Sequence, residues 1–392
     1  MPHLSNVPTT ENLTQQNLFK STTAMMYENT LDFAQGLDAQ DPLRTYREQF
    51  LFPQHQGRDV LYCCGNSLGL QPRSIRSALL HELDHWAEHG VEGHFRGELP
   101  WMHYHKFLTD QSARLVGALP HEVVVMNTLT VNLHLMLVSF YQPTAQRYKI
   151  VMEAGAFPSD QYALETQVRF HGLDPAEAIV EIAPRPGEDT LRTEDIIQII
   201  EKEGDSLALV LFGGVNYYTG QFYDLAAITA AAHRVGAKAG FDLAHAAGNV
   251  PLRLHDWGAD FAVWCSYKYL NSGPGGPAGV FVHERHANSP HLPRFAGCGA
   301  MTKQSVSRCA KAFSRCPARR AGRSAMPRSL PSPPTRPAWI FSMRRAWTTC
   351  GPRACSSPAS WNSCCWPPMP EKTTSASSRP PIRRRGAASS RC

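Results

Sequence analysis

Between residues 121 and 267, short apolar runs alternate with helical periods, and this alternation constrains the fold more than any other feature of the chain. VVVM (123–126), KIVME (149–153), AIVEI (178–182), LALVLFGGV (207–215), AKAGFDL (237–243) and DFAVWCSY (260–267) read as buried strands. TVNLHLMLVSF (130–140), SDQYALETQVRFHG (159–172), TEDIIQIIEKEG (193–204) and DLAAITAAAHRVG (224–236) read as the helices between them. Strands joined through helices need crossover connections, so the expected class is α/β, with a mainly parallel sheet sandwiched by helices. In such a sheet ligands bind at the carboxyl ends of the strands. Upstream the pattern is less regular. Helices are expected around Met25–Leu37 and Pro42–Phe50, and a short strand opens VLYCCGNSLGLQP (60–72). A helix over 73–89 turns Ile75, Leu79, Leu80, Leu83 and Trp86 to one face, and another ends near Val116.

Composition divides the 392 residues near position 298. Residues 1–297 hold 21 Lys and Arg against 32 Asp and Glu, a net of −11, whereas residues 298–392 hold 18 bases and the single acid Glu371, a net of +17. Eight of the eleven cysteines also fall in that last stretch. The expected organisation is a flexible leader (1–25), a large domain with its N-terminal segment (26–297) and a basic, low-complexity tail (298–392). The opening, MPHLSNVPTTENLTQQN, lacks the apolar core of a secretory signal, and no run approaches the roughly 18 apolar residues of a membrane span. Cys63, Cys64 and Cys265 show no metal spacing and suit a reducing compartment, the first two read as buried small hydrophobes. A cytoplasmic location is the expectation, with no metal, since neither a zinc spacing nor a Walker or dinucleotide glycine pattern occurs.

The chemistry concentrates in FDLAHAAGNV (241–250) and FAVWCSYKYLN (261–271). Lys268 stands among Trp264, Tyr267 and Tyr269, an aromatic setting that disfavours the ammonium and suits a Schiff-base lysine. Asp242 closes an apolar strand, where a carboxylate can pair with a pyridinium nitrogen. Alone, such a lysine is an ordinary snorkelling residue and such an aspartate a turn former. Together, 26 residues apart and followed by SGPGGPAG (272–279), they point to pyridoxal phosphate (PLP). MNTLTVN (126–132) places Leu129 and Thr130 at a strand-to-helix turn, which is either a phosphate seat or a plain cap. EAGAFPSDQYA (153–163) offers Phe157 for stacking, with Ser159 or Asp160 capping the next helix. His245, three residues past Asp242, reaches the same ligand if the turn is tight, and His94 beside Arg96 suits substrate contact. NYYTGQ (216–221) reads equally as pocket lining or as a tyrosine-rich turn.

Over roughly residues 30–297 the chain resembles the kynureninase family, PLP enzymes of aminotransferase-like fold type I. The resemblance rests on long strings: GNSLGLQP, LTVNLHLML, RYKIVMEAGAFPSDQYA, LRTEDI, IEKEGDSLA, YYTGQ, FDLAHAAGNVPLRLHDWGADFAVWCSYKYLN and FVHERH. It implies that Lys268 carries the cofactor and is catalytic, that Asp242 pairs with the pyridine nitrogen, and that His245 and Phe157 flank the ring. It extends the cofactor set to Leu129, Thr130, Pro158, Ser159, Asp160, Gly213 and Tyr267, with Ser67 and His94 in the substrate pocket. The family usually has serine where this chain has Gly213, which removes a hydroxyl donor. The implied reaction is hydrolysis of the Cβ–Cγ bond of L-kynurenine or 3-hydroxy-L-kynurenine, giving L-alanine and an anthranilate, in tryptophan degradation and NAD biosynthesis. A homodimer is implied as well. Other fold-type-I PLP enzymes, such as cysteine desulfurases and aminotransferases, need a different reactive loop and share none of these strings.

After Gly297 the resemblance persists only in the implied codons. Cys298-Gly299-Ala300-Met301-Thr302-Lys303 can be encoded by TGT GGG GCC ATG ACA AA. One G inserted after the second base turns this into Trp-Trp-Gly-His-Asp-Lys, the family's continuation. Likewise Trp361–Trp366, shifted by one base, reads Leu-Glu-Phe-Leu-Leu-Leu. The tail is therefore read as an out-of-frame translation, which removes the small domain and the arginine that would hold the substrate carboxylate. A basic nucleic-acid-binding arm on a non-catalytic protein would also explain the charge, but not the Trp, Cys and Pro enrichment without period.

Overall fold

The computed structural model describes residues 27–295, so the expected leader (1–25), the start of the first helix at Met25 and the tail (298–392) lie outside the described residues. The first helix, α1, is Leu31–Gln40, capped by Thr30 Oγ1 accepting from Phe33 N at 3.2 Å. The helix expected at 42–50 is a short 3-10 turn, Arg44–Gln49. VLYCC forms no strand; instead Gln71–Pro72 pairs antiparallel with Phe50–Leu51. Cys63 and Cys64 are consequently exposed rather than buried, because the segment turns across the surface (Ser67 N to Cys64 O, 2.9 Å) without entering the sheet.

The next helix, α2, is Ile75–His89. It buries Ile75 and His85 but leaves Leu80, Leu83 and Trp86 about half exposed, so the described chain does not fully cover the apolar face that the period predicts. A further helix, α3 (Thr109–Val116), ends at Gly117, whose φ of 61° is the left-handed geometry glycine adopts without strain.

The alternating segment then folds as read. Strands β1 (Val123–Met126), β2 (Lys149–Glu153), β3 (Ile179–Ile182), β4 (Leu207–Gly213), β5 (Lys238–Asp242) and β6 (Phe261–Trp264) join one sheet with a strand the sequence reading missed, β7 (Ala278–Val282). The order is β1-β7-β6-β5-β4-β2-β3, with β7 antiparallel to both β6 and β1 and the other pairs parallel. AGVFV was hard to read because a glycine-rich loop precedes it, where a crossover helix would signal a strand.

Helices α4 (Leu129–Phe140) and α5 (Pro158–Phe170) cover one face, packing Leu133, Leu137, Leu164 and Val168 on Val263 and Leu209. Helices α6 (Thr193–Glu203) and α7 (Leu225–Arg234) cover the other with Ile196, Ile200, Ile228 and Ala232 against Phe241 and Trp264. Two separate cores result, one on each side of the sheet, as a buried parallel sheet requires.

Glycines inside strands make room for aromatic neighbours. Gly279 pairs with Trp264, and a Cβ at 279 would overlap the indole ring; Gly240 stands in the same relation to Phe261. Gly279→Ala should therefore lower stability by about 2 kcal/mol through overpacking, read as a reduced denaturant midpoint at unchanged slope. An unchanged midpoint would mean that Trp264 relocates freely.

Candidate active site

Four strand ends build the site. β2 ends at Glu153, β4 at Gly213 and β5 at Asp242, while β6 runs into the loop that carries Lys268. Gly213 and Asp242 are register partners, so they sit side by side at the carboxyl edge. A tight turn after β5 brings His245 back: Ala244 N donates to Asp242 Oδ1 at 2.7 Å, and Ala246 N to Leu243 O at 3.0 Å. Lys268 is buried, and its Nζ donates to His245 Nε2 at 2.8 Å. The expected aromatic cage is differently composed: the ring facing Lys268 is Phe157, with its centroid 5.7 Å from Nζ, whereas Trp264 is fully buried in the core.

Burial dominates the electrostatics. It lowers His245 to about 4, with Lys268 adding to the effect, so His245 is a neutral acceptor at neutral pH. Burial also raises Asp242, which the Ala244 N–H, Asp160 and Lys268 counteract. Asp160 is pushed well above the carboxylate range by burial and then by Asp242. Neither Ser159 nor Asp160 caps α5, contrary to expectation. The cap position is Phe157 with Pro158 in the first helical turn, which turns the Asp160 carboxyl inward beside Asp242.

The opposite end of the site suits an anion. Thr128 caps α4 (its Oγ1 accepts from Val131 N), Leu129 opens the helix, and Thr130 Oγ1 lies 3.0 Å from Ser159 Oγ in the first turn of α5. Two helix N-termini, the exposed Thr130 hydroxyl and the half-buried Ser159 hydroxyl thus converge. Tyr267, whose hydroxyl burial pushes up to about 12, precedes the lysine, and its carbonyl accepts from Gly69 N at 2.8 Å. That bond brings the loop carrying Ser67 against the lysine segment; a Cβ at Gly69 would overlap the Lys268 carbonyl. His94 joins a different cluster, edge-on to Trp101 at 5.3 Å, with its Nδ1 buried and without a hydrogen-bond partner among the described residues. Tyr217 packs edge-on to Phe157 at 5.3 Å and lines a cleft of about 340 Å³ with Asn216, Tyr218 and Tyr223, so NYYTGQ is both turn and lining.

These residues fit PLP. They supply a buried amine on a neutral imidazole, a buried carboxylate at a strand end, a half-exposed phenyl face and an anion seat. Asp160 Oδ1 is also buried, with no hydrogen-bonding partner among the described residues. Two constellations were illegible in the sequence because distant segments build them. Glu153 is buried beside the site. Glu122, His255 and His283 bring ligand-type atoms within 4.8 Å of one another. There, Glu122 already accepts from His255 Nδ1 (3.0 Å), Glu284 N (2.8 Å) and Leu119 N (2.9 Å), so the cluster serves as a staple.

A profile of class-V aminotransferases matches residues 70–325, extending beyond Gly297. The kynureninase of Myxococcus xanthus is 60% identical over 297 residues, covering 76% of this chain and 70% of that protein. The kynureninases of Flavobacterium psychrophilum (58% identity, 71% and 66% covered) and Nematostella vectensis (53% identity, 73% and 64%) are similar as well. The chain thus spans about two thirds of the length of these relatives. Among solved structures, a cysteine desulfurase from Thermococcus onnurineus aligns at TM-score 0.54 and 19% identity, covering 73% of this chain and 67% of that one. A C-DES variant with glycine covalently linked to its PLP cofactor aligns at 0.58 and 15%, covering 72% and 70%. No helix among the described residues is long and apolar enough to cross a membrane. By sequence, sheet topology and the residues gathered at the strand ends, the chain belongs to the kynureninase family of PLP-dependent class-V aminotransferases.

Proposed function

We propose that this chain performs the kynureninase reaction, hydrolysing the Cβ–Cγ bond of L-kynurenine or its 3-hydroxy derivative to an anthranilate and L-alanine. The observation that carries this reading is the buried Lys268 amine on His245, beside Asp242, in a chain 60% identical to a kynureninase. PLP, when bound, supplies an electron sink for the negative charge that develops at the substrate carbon. Lys268 Nζ would hold the cofactor, and the same amine is placed to take and return protons at the substrate carbons. His245 accepts the Nζ hydrogen bond without competing for charge, because its ring is neutral. Asp242 would hold the proton of the ring nitrogen, and Phe157 would cover a ring face. Thr130, Ser159 and Tyr267 hold the phosphate, with Leu129, Pro158, Asp160 and Gly213 completing the wall. Ser67 and His94 belong to the substrate side, and no metal takes part.

The protein works in the cytoplasm as a homodimer, in tryptophan degradation and NAD biosynthesis. The half-exposed Leu80, Leu83 and Trp86 stripe supports a covering partner subunit. The segment 298–392 reads out of frame and costs the chain its substrate-carboxylate arginine, hence most of its rate. The test measures anthranilate and alanine release from both kynurenines by this chain and by one whose frame is restored after Gly297. The restored chain should turn over both products in equal amounts, and this chain far less. A silent restored chain would overturn the assignment; equal rates would overturn the cost ascribed to the tail.

A further inference from the structure

Glu153 takes no part in the mechanism above, yet the residue is only 5% exposed at the carboxyl edge of the sheet. Both of its oxygens accept from Gly213 N at 3.2 Å, and Gly213 is the register partner of Asp242. Glycine permits that approach, since a Cβ at 213 would stand 3.0 Å from Glu153 Oε1. Three buried carboxyls therefore gather here: Glu153 on β2, Asp242 on β5 and Asp160 on α5. The Tyr223 phenol also faces Glu153, and the cation acting on the cluster is Lys268, itself bonded to neutral His245. A desolvated group of three carboxyls facing one ammonium cannot be fully ionised, so protons stay on it.

We propose that Glu153 is a positioning residue that holds a proton in the cofactor-free protein and gives it up when the cationic ring nitrogen of PLP settles beside Asp242. This rests on the reading of Lys268 and Asp242 as the cofactor site. Three observations single out Glu153 among the carboxyls. Burial and then Asp242 push Asp160 well above the usual carboxylate range, which favours its protonated form. Asp242 stands at the end of β5; burial raises it too, but the Ala244 N–H, Asp160 and Lys268 all favour its charge. Burial raises Glu153 only to about 7, because the Gly213 N–H bonds stabilise the ionised form. An arriving cation offsets the burial penalty; the Glu153 O–H bond breaks, the proton leaves to water, and no electrons change hands. Cofactor uptake then strengthens as pH rises, by up to about tenfold per pH unit for each proton released.

The test uses the full chain stripped of cofactor, wild type and Glu153→Gln, titrated with PLP at pH 6, 7 and 8. Calorimetry in two buffers of different ionisation heat counts the protons. Protons released by PLP and Lys268 are common to both proteins. The wild type should release up to one proton more than Glu153→Gln, and its affinity should rise more steeply with pH. Equal proton counts with normal PLP binding in both would overturn the inference while leaving the cofactor site intact. Failure of both proteins to take up PLP would overturn the site reading together with the inference. Should Glu153→Gln not fold, difference infrared spectra of the wild type decide: the carbonyl stretch of a protonated acid should vanish on PLP addition, and its persistence would overturn the proposal.

Discussion

Replacing Lys268 by alanine should abolish the visible or near-ultraviolet band that the wild-type chain develops with PLP. In the frame-restored protein, cleavage of kynurenine should fall by about 10³-fold or more, since one side chain both holds the cofactor and moves protons. The expectation follows from position. Lys268 is buried, and its Nζ is bonded to a neutral imidazole at 2.8 Å and faces the Phe157 ring. No other lysine is buried among the described residues. Borohydride should label the wild type at Lys268 and leave the alanine variant unlabelled. A variant that keeps its band would show that a different amine holds the cofactor.

The second large effect concerns stability. Asp260 is fully buried at the start of β6, and its oxygens meet His286 Nε2 (2.6 Å), Arg285 (2.8 Å), His233 Nε2 (2.9 Å) and Ala239 N (2.8 Å), with Lys238 at 3.6 Å. Asp260→Ala would strand buried polar and cationic partners and should cost about 3–5 kcal/mol. Burial alone would raise the Asp260 pKa, but His233, His286 and Arg285 together hold it well below the usual range. A depressed carboxylate contributes its stability above its unfolded value, near pH 4, and loses that contribution as pH falls. The stability gap between wild type and Asp260→Asn should therefore be widest at neutral pH and narrow on acidification. Denaturant midpoints at pH 7 and pH 3.5 check this; a gap independent of pH would assign the cost to packing instead.

Much of the architecture could be read because burial on both faces writes the inner strands as mostly apolar runs. VVVM and LALVLFG lie in the sheet where their composition put them. AGVFV escaped because it is antiparallel and enters through a glycine loop, so no helical period announces it. The stripe on α2 had the right period, but periodicity says only that a face is apolar, not that this chain covers it. Cys63 and Cys64 were misplaced for a related reason: a short apolar run without a pairing partner stays at the surface.

The site divides in the same way. Lys268, Asp242 and His245 were visible because chemistry and chain position coincide, each at or just past a strand end. Asp160 was visible as a residue but not as a buried one, since Pro158 in the first turn of α5 sets which side chains face inward. Glu153 gave no sign, being a single acid at the end of KIVME whose burial depends on Gly213 sixty residues away. The Asp260 and Glu122 hubs likewise exist only once remote segments meet.

The bond from Gly69 N to the Tyr267 carbonyl stitches the stretch before the sheet onto the backbone of the reactive lysine. A fragment trimmed to begin at β1 would keep every strand of the main sheet and Lys268 itself, but it would lose the outer wall of that lysine's loop. The same trimming would strip Leu108, Ala113, Leu115 and Val116 from the core beneath one face of the sheet, so the reactive lysine's loop and the packing of the sheet lean on one upstream stretch of chain.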